Sequence, residues 1–291
     1  VWFNFKHSLG GELLAARLVH LLRERHDAPL VIACHERLVD LLRLAFPDEQ
    51  VVSVGDDLRP VVTEGHAYVL ARDLLYLLVK SPSDLIGAAR HCIDLAPVGQ
   101  HGSARARRVE QTLRIALSWK TTNRDQGRYR NPPLDALGRW IARHPNVEWC
   151  IAQHGQVEAD LAKLRRIAPQ ARWHLDAVSP SADLHTLGGQ IACLDGVVTI
   201  DNTLLHLAGS IGVPTLALIS VPAYWAWPPQ GHDSIWYESV RMIRQRRAGD
   251  WRAVWAELDQ ELAVWTSRLG SGSATAVRSR RNSAIISTSE A

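Results

Sequence analysis

Short apolar runs alternate with longer amphipathic ones along this 291-residue chain, and the alternation occurs twice, on either side of a polar interruption. In the first third, Trp2–Phe5, Pro29–Ala33 and Val51–Val54 read as strands. Glu12–Arg25 and Glu36–Ala45 read as helices, the former with Leu13, Leu14, Leu18, Leu21 and Leu22 at helical spacing. Strands that follow one another through helices pair in parallel, because a parallel neighbour is reached only by a long crossover. Residues 60–100 read as mixed helix and loop. The run 99–111, GQHGSARARRVEQ, is rich in Gly, Ser and Arg and reads as a linker. Beyond it, strands are expected at Leu113–Trp119, Val147–Gln153, Gly196–Ile200, Thr215–Ile219 and Val240–Ile243. Helices are expected at Pro133–Arg143, Val157–Ile167, Ser181–Cys193, Asn202–Ile211 and Trp251–Arg268. The expected fold class is therefore α/β, with two Rossmann-like doubly wound domains facing a cleft. Their expected bounds are 1–110 and 111–268, with a disordered Ser-, Thr- and Arg-rich tail over 269–291.

Composition narrows what such a chain does. A hydrophobic fraction of 46% against 22% charged residues suffices for sizeable cores. The net charge of +3 is small and scattered, which argues against a nucleic-acid partner. Cys34, Cys92, Cys150 and Cys193 form no C-x-x-C pair, so neither a disulfide framework nor a zinc site is expected. With no basic-then-apolar leader at its start, the chain is expected in a reducing, cytoplasmic compartment. From Asn202 to Gly231 there is no Asp, Glu, Lys or Arg, but Gly209, Gly212, Pro214, Pro222, Pro228 and Pro229 divide the stretch into pieces too short to span a bilayer. No transmembrane segment is expected, and peripheral membrane contact is left open. Ten of the 11 Trp lie at or after Trp119, so the two halves are built differently.

Ligands in doubly wound sheets bind beyond the carboxyl ends of the strands, often at helix N-termini. At the most informative corner a buried strand ends at Asp201 and a helix begins at once, with Asp201, Asn202 and Thr203 all suited to capping and His206 one turn further on. Free N–H groups, a hydroxyl and an imidazole would converge there on a diphosphate; an ordinary capped helix with a satisfied His reads equally well. At a second corner, Ser118, Lys120, Thr121 and Asn123 precede Arg124, Arg128 and Arg130, which suits either phosphate or a solvated basic loop. A third corner is Gln153-His154-Gly155. In the first half, Ser8-Leu9-Gly10-Gly11-Glu12 lets backbone approach a ligand, with Glu12 or His7 as candidate general base. The aromatic segment Pro222–Pro229, with Trp236 and Tyr237 beyond it, suits sugar stacking or core packing. No D-x-D, no spaced His cluster and no P-loop or G-x-G-x-x-G is present, so no metal site is expected.

Together these corners resemble a known family. Asp201-Asn202-Thr203, His206-Leu207-Ala208-Gly209 and Gly212-Val213-Pro214-Thr215 resemble the donor-site signature of GT-B glycosyltransferases related to the ADP-heptose:lipopolysaccharide heptosyltransferases (glycosyltransferase family 9). The nearer resemblance is to the glycosyltransferase-like domain of bacterial tetratricopeptide-repeat proteins, through Ser118-Trp119-Lys120, Pro222–Trp227, Ser234–Tyr237 and Arg244-Gln245. The resemblance implies an inverting, metal-independent transfer from a nucleotide-diphosphate-sugar, a co-substrate rather than a cofactor, to a glycan, lipid or protein acceptor. It implies that Asp201, Asn202, Thr203 and His206 hold the diphosphate and nearby sugar. Lys120 would then stabilise the leaving phosphate, with Ser118 and Asn123 in support, while Gln153 at the third corner is expected near the nucleotide. One departure stands out: the family's L-G-D-E corner reads Leu9-Gly10-Gly11-Glu12, so Gly11 replaces the candidate catalytic base. Either Glu12 or another group substitutes, or catalysis is impaired. A degenerate nucleotide- or glycan-binding module and an NDP-sugar epimerase are the alternatives.

Overall fold

The computed structural model describes residues 8–54, 69–81, 83–85, 93–95, 112–175 and 178–270. The expected strand Trp2–Phe5, His7, the linker 99–111 and the tail from 271 onward lie outside the described residues. The first half contains α1 (Leu9–Arg23), β1 (Val31–Cys34), α2 (Val39–Ala45, entered through a 3₁₀ turn at Glu36–Leu38), β2 (Gln50–Ser53) and α3 (Ala71–Leu78). β1 and β2 pair in parallel, Ile32 opposite Val51.

The second half runs β3 (Leu113–Ser118), α4 (Arg124–Arg130), α5 (Leu134–Ala142), β4 (Val147–Ile151), α6 (Glu158–Ile167) and β5 (Arg172–His174). It continues with α7 (Leu184–Ile191), β6 (Gly196–Ile200), α8 (Thr203–Ser210), β7 (Thr215–Ile219), β8 (Val240–Arg244) and α9 (Arg252–Gly270). Its six strands form one sheet in the order β5-β4-β3-β6-β7-β8, every pairing parallel. The chain builds outward from β3 on one side, then returns to β6 and builds outward on the other. The order reverses between β3 and β6, where the helices that follow diverge to opposite faces and open a crevice.

Two elements depart from the sequence reading. Arg124–Arg130 is a helix rather than a basic loop. Its sequence has no apolar period, and it starts because the Asn123 side chain accepts the N–H groups of Asp125 and Gln126. β5 went unread because three residues carry too little alternation to register.

α1 ties the halves together. Its residues are buried almost all round, which marks a helix packed on several sides rather than an amphipathic surface helix. Leu13, Ala16 and Val19 join an apolar cluster with Ile32 and Leu41 of the first half and Leu187, Ile191 and Leu207 of the second. Leu14, Leu18 and Leu21 join another with Leu74, Trp227, Trp236, Tyr237 and Met242. A third cluster, confined to the second half, packs Trp140, Trp149, Trp251, Trp255 and Trp265. Most of the uneven Trp content is thus core.

Candidate functional site

A cavity of about 580 Å³ opens where the carboxyl ends of β3 and β6 meet the N-terminus of α1. That volume falls in the range of small-molecule sites. Eight of the nine sequence-predicted site residues line it: Ser118, Lys120, Asn123, Gln153, Asp201, Asn202, Thr203 and His206. Glu12 does not. Its carboxylate is turned toward β1 and accepts the backbone N–H of His35 at 3.0 Å. Burial raises its pKa from the ordinary carboxylate value to about 7, against the lowering effect of that hydrogen bond.

The two corners at the switch point are wired to each other. The Asn202 Oδ1 accepts the N–H groups of Leu204 at 3.0 Å and Leu205 at 3.4 Å, capping α8, while its Nδ2 donates to Ser118 Oγ at 2.8 Å. Ser118 Oγ donates in turn to Gln153 Oε1 at 3.0 Å. That oxygen also accepts the N–H groups of Trp119 and Lys120, both at 2.8 Å, and the Gln153 amide nitrogen donates to the carbonyls of Lys120 and His154. The Gln153 amide is thereby spent on shaping the corner. Asn123 caps α4 at the rim. Lys120 extends its ammonium to Asp160 Oδ2 and to the Gln156 carbonyl, both at 2.6 Å, and Trp119 Nε1 donates to the same carboxylate oxygen at 3.0 Å.

Beneath α8 lies a buried polar cluster. Asp201 faces Arg130, with Nη2 3.2 Å from its carboxylate and Nη1 donating to its own carbonyl at 3.2 Å. Burial raises the Asp201 pKa, opposed by Arg130. His206 stacks on Trp227 with ring centroids 5.5 Å apart, shares a hydrogen bond with Tyr237 Oη at 3.1 Å, and has Nε2 3.8 Å from Asp201. Burial, aided by Arg130, pushes its pKa down to about 3, so the imidazole is neutral. Gly10 makes this arrangement possible: a Cβ there would lie 2.6 Å from the His206 ring.

Three further residues, Arg37, Arg130 and Tyr224, line the cavity. Arg37, from the 3₁₀ turn after β1, reaches across to donate to the Ala182 carbonyl at 2.6 Å. Arg130 and Tyr224 line the floor, the guanidinium 5.6 Å above the Tyr224 ring. Arg130 stood among several candidate phosphate-binding cations; nothing in the sequence marks Arg37, which reads as a surface charge. Among the described lining residues the cations are Arg37, Lys120 and Arg130 and the only carboxylate is Asp201, so the cavity favours an anion. Among the described residues no group of three or more His, Cys, Asp or Glu is placed to hold a metal ion. No described helix is long and apolar enough to cross a membrane.

Comparison with known proteins points the same way. Residues 115–241 match the family model of glycosyltransferase family 9 (heptosyltransferase). The E. coli ADP-heptose LPS heptosyltransferase II superposes with a TM-score of 0.57 over 90% of this chain and 96% of that one, at 11% identity. A family 9 glycosyl transferase from Veillonella parvula superposes with a TM-score of 0.57 over 92% and 96%, at 9% identity. The fold is thus the GT-B arrangement of heptosyltransferase structures. The protein FlbA of Caulobacter vibrioides is 22% identical over 264 residues, 84% of this chain. The chain spans 43% of the length of that curated relative.

Proposed function

We propose that this chain is a glycosyltransferase that binds a nucleotide-diphosphate-sugar in the cavity between β3 and β6 and transfers the sugar, with inversion and without a required metal, to a glycan, lipid or protein acceptor. One observation carries the reading: two corners at the switch point, hydrogen-bonded to each other through Asn202 and Ser118, form with α1 a cavity lined by three cations. The family match covers these corners, and the E. coli structural neighbour is named for ADP-heptose.

In this reading the diphosphate lies against the N-terminus of α8. Asn202 caps Leu204 and Leu205, and Thr203 offers its N–H and hydroxyl. As the bond to the anomeric carbon breaks, negative charge grows on the leaving diphosphate. Lys120, whose ammonium rests on Asp160 and the Gln156 carbonyl at the rim, turns from that pair to supply positive charge there. His206 acts as a neutral hydrogen-bonding group and as the surface against which α1 is seated. Glu12 acts indirectly, by holding the backbone of His35 at the start of the turn that carries Arg37. The free buried thiols of Cys34 and Cys150 support a reducing, cytoplasmic setting.

A second reading, binding without transfer, is favoured by the first-half wall of the cavity: Ser8, Gly10 and Gly11 present no carboxylate, and Glu12 faces away. One experiment separates the readings. The protein is incubated with UDP-, GDP- and ADP-sugars in the presence and absence of a mixture of glycan, lipid and protein acceptors, release of nucleoside diphosphate is measured, and binding is followed by calorimetry. Transfer predicts release from one donor class; binding without release supports the second reading. Absence of both across the panel would overturn the proposed donor site.

A further inference from the structure

The three cations that line the cavity are not held alike. Arg130 is locked in a buried pair with Asp201, the two side chains 11% and 6% exposed, and opening such a pair strands a charge away from water. Arg37 is spent on the Ala182 carbonyl, a neutral partner. Lys120 differs from both. Its ammonium rests on Asp160, a residue in the first turn of α6 that does not line the cavity. The two side chains are 26% and 27% exposed, and ion pairs open to water contribute little. Lys120 is therefore the cation that moves at least cost.

Its backbone stays put while its side chain turns. Gln153 pins that backbone on both sides, accepting the Lys120 N–H at 2.8 Å and donating to its carbonyl at 3.0 Å. Only the flexible stem has to rotate, a fast motion for a side chain near the surface. The carboxylate is fixed as well. Trp119, buried in the core of the second half, donates Nε1 at 3.0 Å to the same Oδ2 that takes the ammonium at 2.6 Å. The first turn of a helix also favours a negative side chain. Asp160 thus keeps its place when Lys120 leaves, ready to take it back.

We propose that Asp160 is a positioning residue that competes with the nucleoside diphosphate for the Lys120 ammonium and so speeds its release after transfer, an inference that rests on the main cavity being the donor site. In the empty site the pair keeps Lys120 neutralised at the rim. An incoming donor offers two phosphates, and the ammonium turns to them at the small cost of opening a weak pair. Once the sugar has gone, the nucleoside diphosphate carries more negative charge than the donor did and holds the cation more firmly. Asp160 offsets that grip, at a step that limits turnover in many enzymes. An amide at this position keeps an oxygen for the Trp119 indole and drops the charge, so the competition disappears.

The test titrates UDP, GDP and ADP by calorimetry into the full parent chain, Asp160→Asn, Lys120→Met and the double variant. Asp160→Asn should bind the preferred nucleotide about two- to fivefold more tightly, the range that a weak ion pair spans. Displacement of the N-methylanthraniloyl derivative of that nucleotide, followed by stopped-flow fluorescence, should slow by the same factor. In Lys120→Met the affinity should fall, and adding Asp160→Asn should then leave it unchanged. A disturbed fold weakens binding and does not tighten it, so a merely structural role does not produce this pattern. If Asp160→Asn fails to fold, Asp160→Ser also removes the charge, keeps an acceptor for the indole and carries the same expectation. Unchanged or weaker binding by these variants overturns the inference. So does tightening that persists without Lys120, which would mean that Asp160 repels the nucleotide directly. Absence of nucleotide binding by the parent removes the donor reading itself, and this inference with it.

Discussion

Gly10 of α1 lies against His206 of α8, and its lack of a side chain admits the His206 ring. Alanine there gains up to about 1 kcal/mol of helix propensity. Its Cβ, however, would stand 2.6 Å from the ring, and that ring is pinned between Trp227 and Tyr237 and does not yield. Overpacking of this kind costs about 1–3 kcal/mol, so the steric effect wins. Gly10→Ala is expected to lower stability in urea by that amount and to weaken nucleotide binding measured by calorimetry. Glu12 gives a second prediction, with a defined direction. Its folded pKa of about 7 lies above its ordinary value near 4.5, so the native state holds a proton that the unfolded chain has released. Its contribution is fully present below about pH 4.5 and is lost as pH rises through about 7. Glu12→Gln removes this penalty, and the variant should gain on the parent between pH 5 and pH 8 by on the order of 1–3 kcal/mol. A stability difference that stays flat across that window would refute the buried-carboxylate account. These two residues also mark the limit of reading chemistry from sequence. The residue type at each corner was visible, but the direction of the Glu12 carboxylate depends on the His35 N–H at the end of a strand 23 positions away.

At the scale of elements, the site is a pair of strand ends held in register by side-chain amides. Asn202 serves two elements at once, capping α8 and donating to Ser118 at the end of β3. Asn202→Ala should cost about 1–2 kcal/mol through the lost cap. Asn202→Asp restores the cap but not the donation to Ser118, so stability should recover only in part. It also puts a negative charge where the diphosphate is expected, so nucleotide binding should stay weak. Parallel denaturation and calorimetry separate the two effects; recovery of both together would mean that α8 does not face the phosphates. Gln153 argues similarly for β4: with its amide deleted, the Trp119 and Lys120 N–H groups lose their acceptor inside a buried corner. Gln153→Ala is therefore expected to cost about 2–3 kcal/mol. Elements with strong periodicity were legible in advance, β6 and β7 to the residue, because buried parallel strands read as bounded apolar runs. α4 was not, since a capping contact rather than an apolar face starts it. Tyr224 stayed between stacking and packing because an aromatic segment looks alike whether it fills a core or floors a cavity; its place in the cavity lining, under the Arg130 guanidinium, distinguishes the two.

For the whole molecule, the question is whether the two halves behave as one. A hinge between independent domains would need an interface of modest, polar character. Here one apolar cluster contains Ile32 and Leu41 from the first half with Leu187 and Leu207 from the second, and α1 contributes a different face to each of two clusters. Separating the halves would expose Leu13, Leu14, Leu18 and Val19 together, each side chain worth about 1.5–3 kcal/mol when buried. That total outweighs what a short linker saves in entropy, so unfolding should be a single cooperative event. The lopsided Trp distribution supplies the probe: with ten of 11 Trp at or after Trp119, indole fluorescence reports the second half, while far-UV circular dichroism reports both. The two urea transitions are expected to coincide. Because the cavity is walled by α1 and Arg37 from one half and by the β3 and β6 corners from the other, a bound nucleoside diphosphate should move both probes together. At 100 times its dissociation constant the shift should be about 2.7 kcal/mol. If fluorescence moved and circular dichroism split into two steps, the nucleotide would be held by the second half alone, and the wall formed by α1 would play no part in binding it.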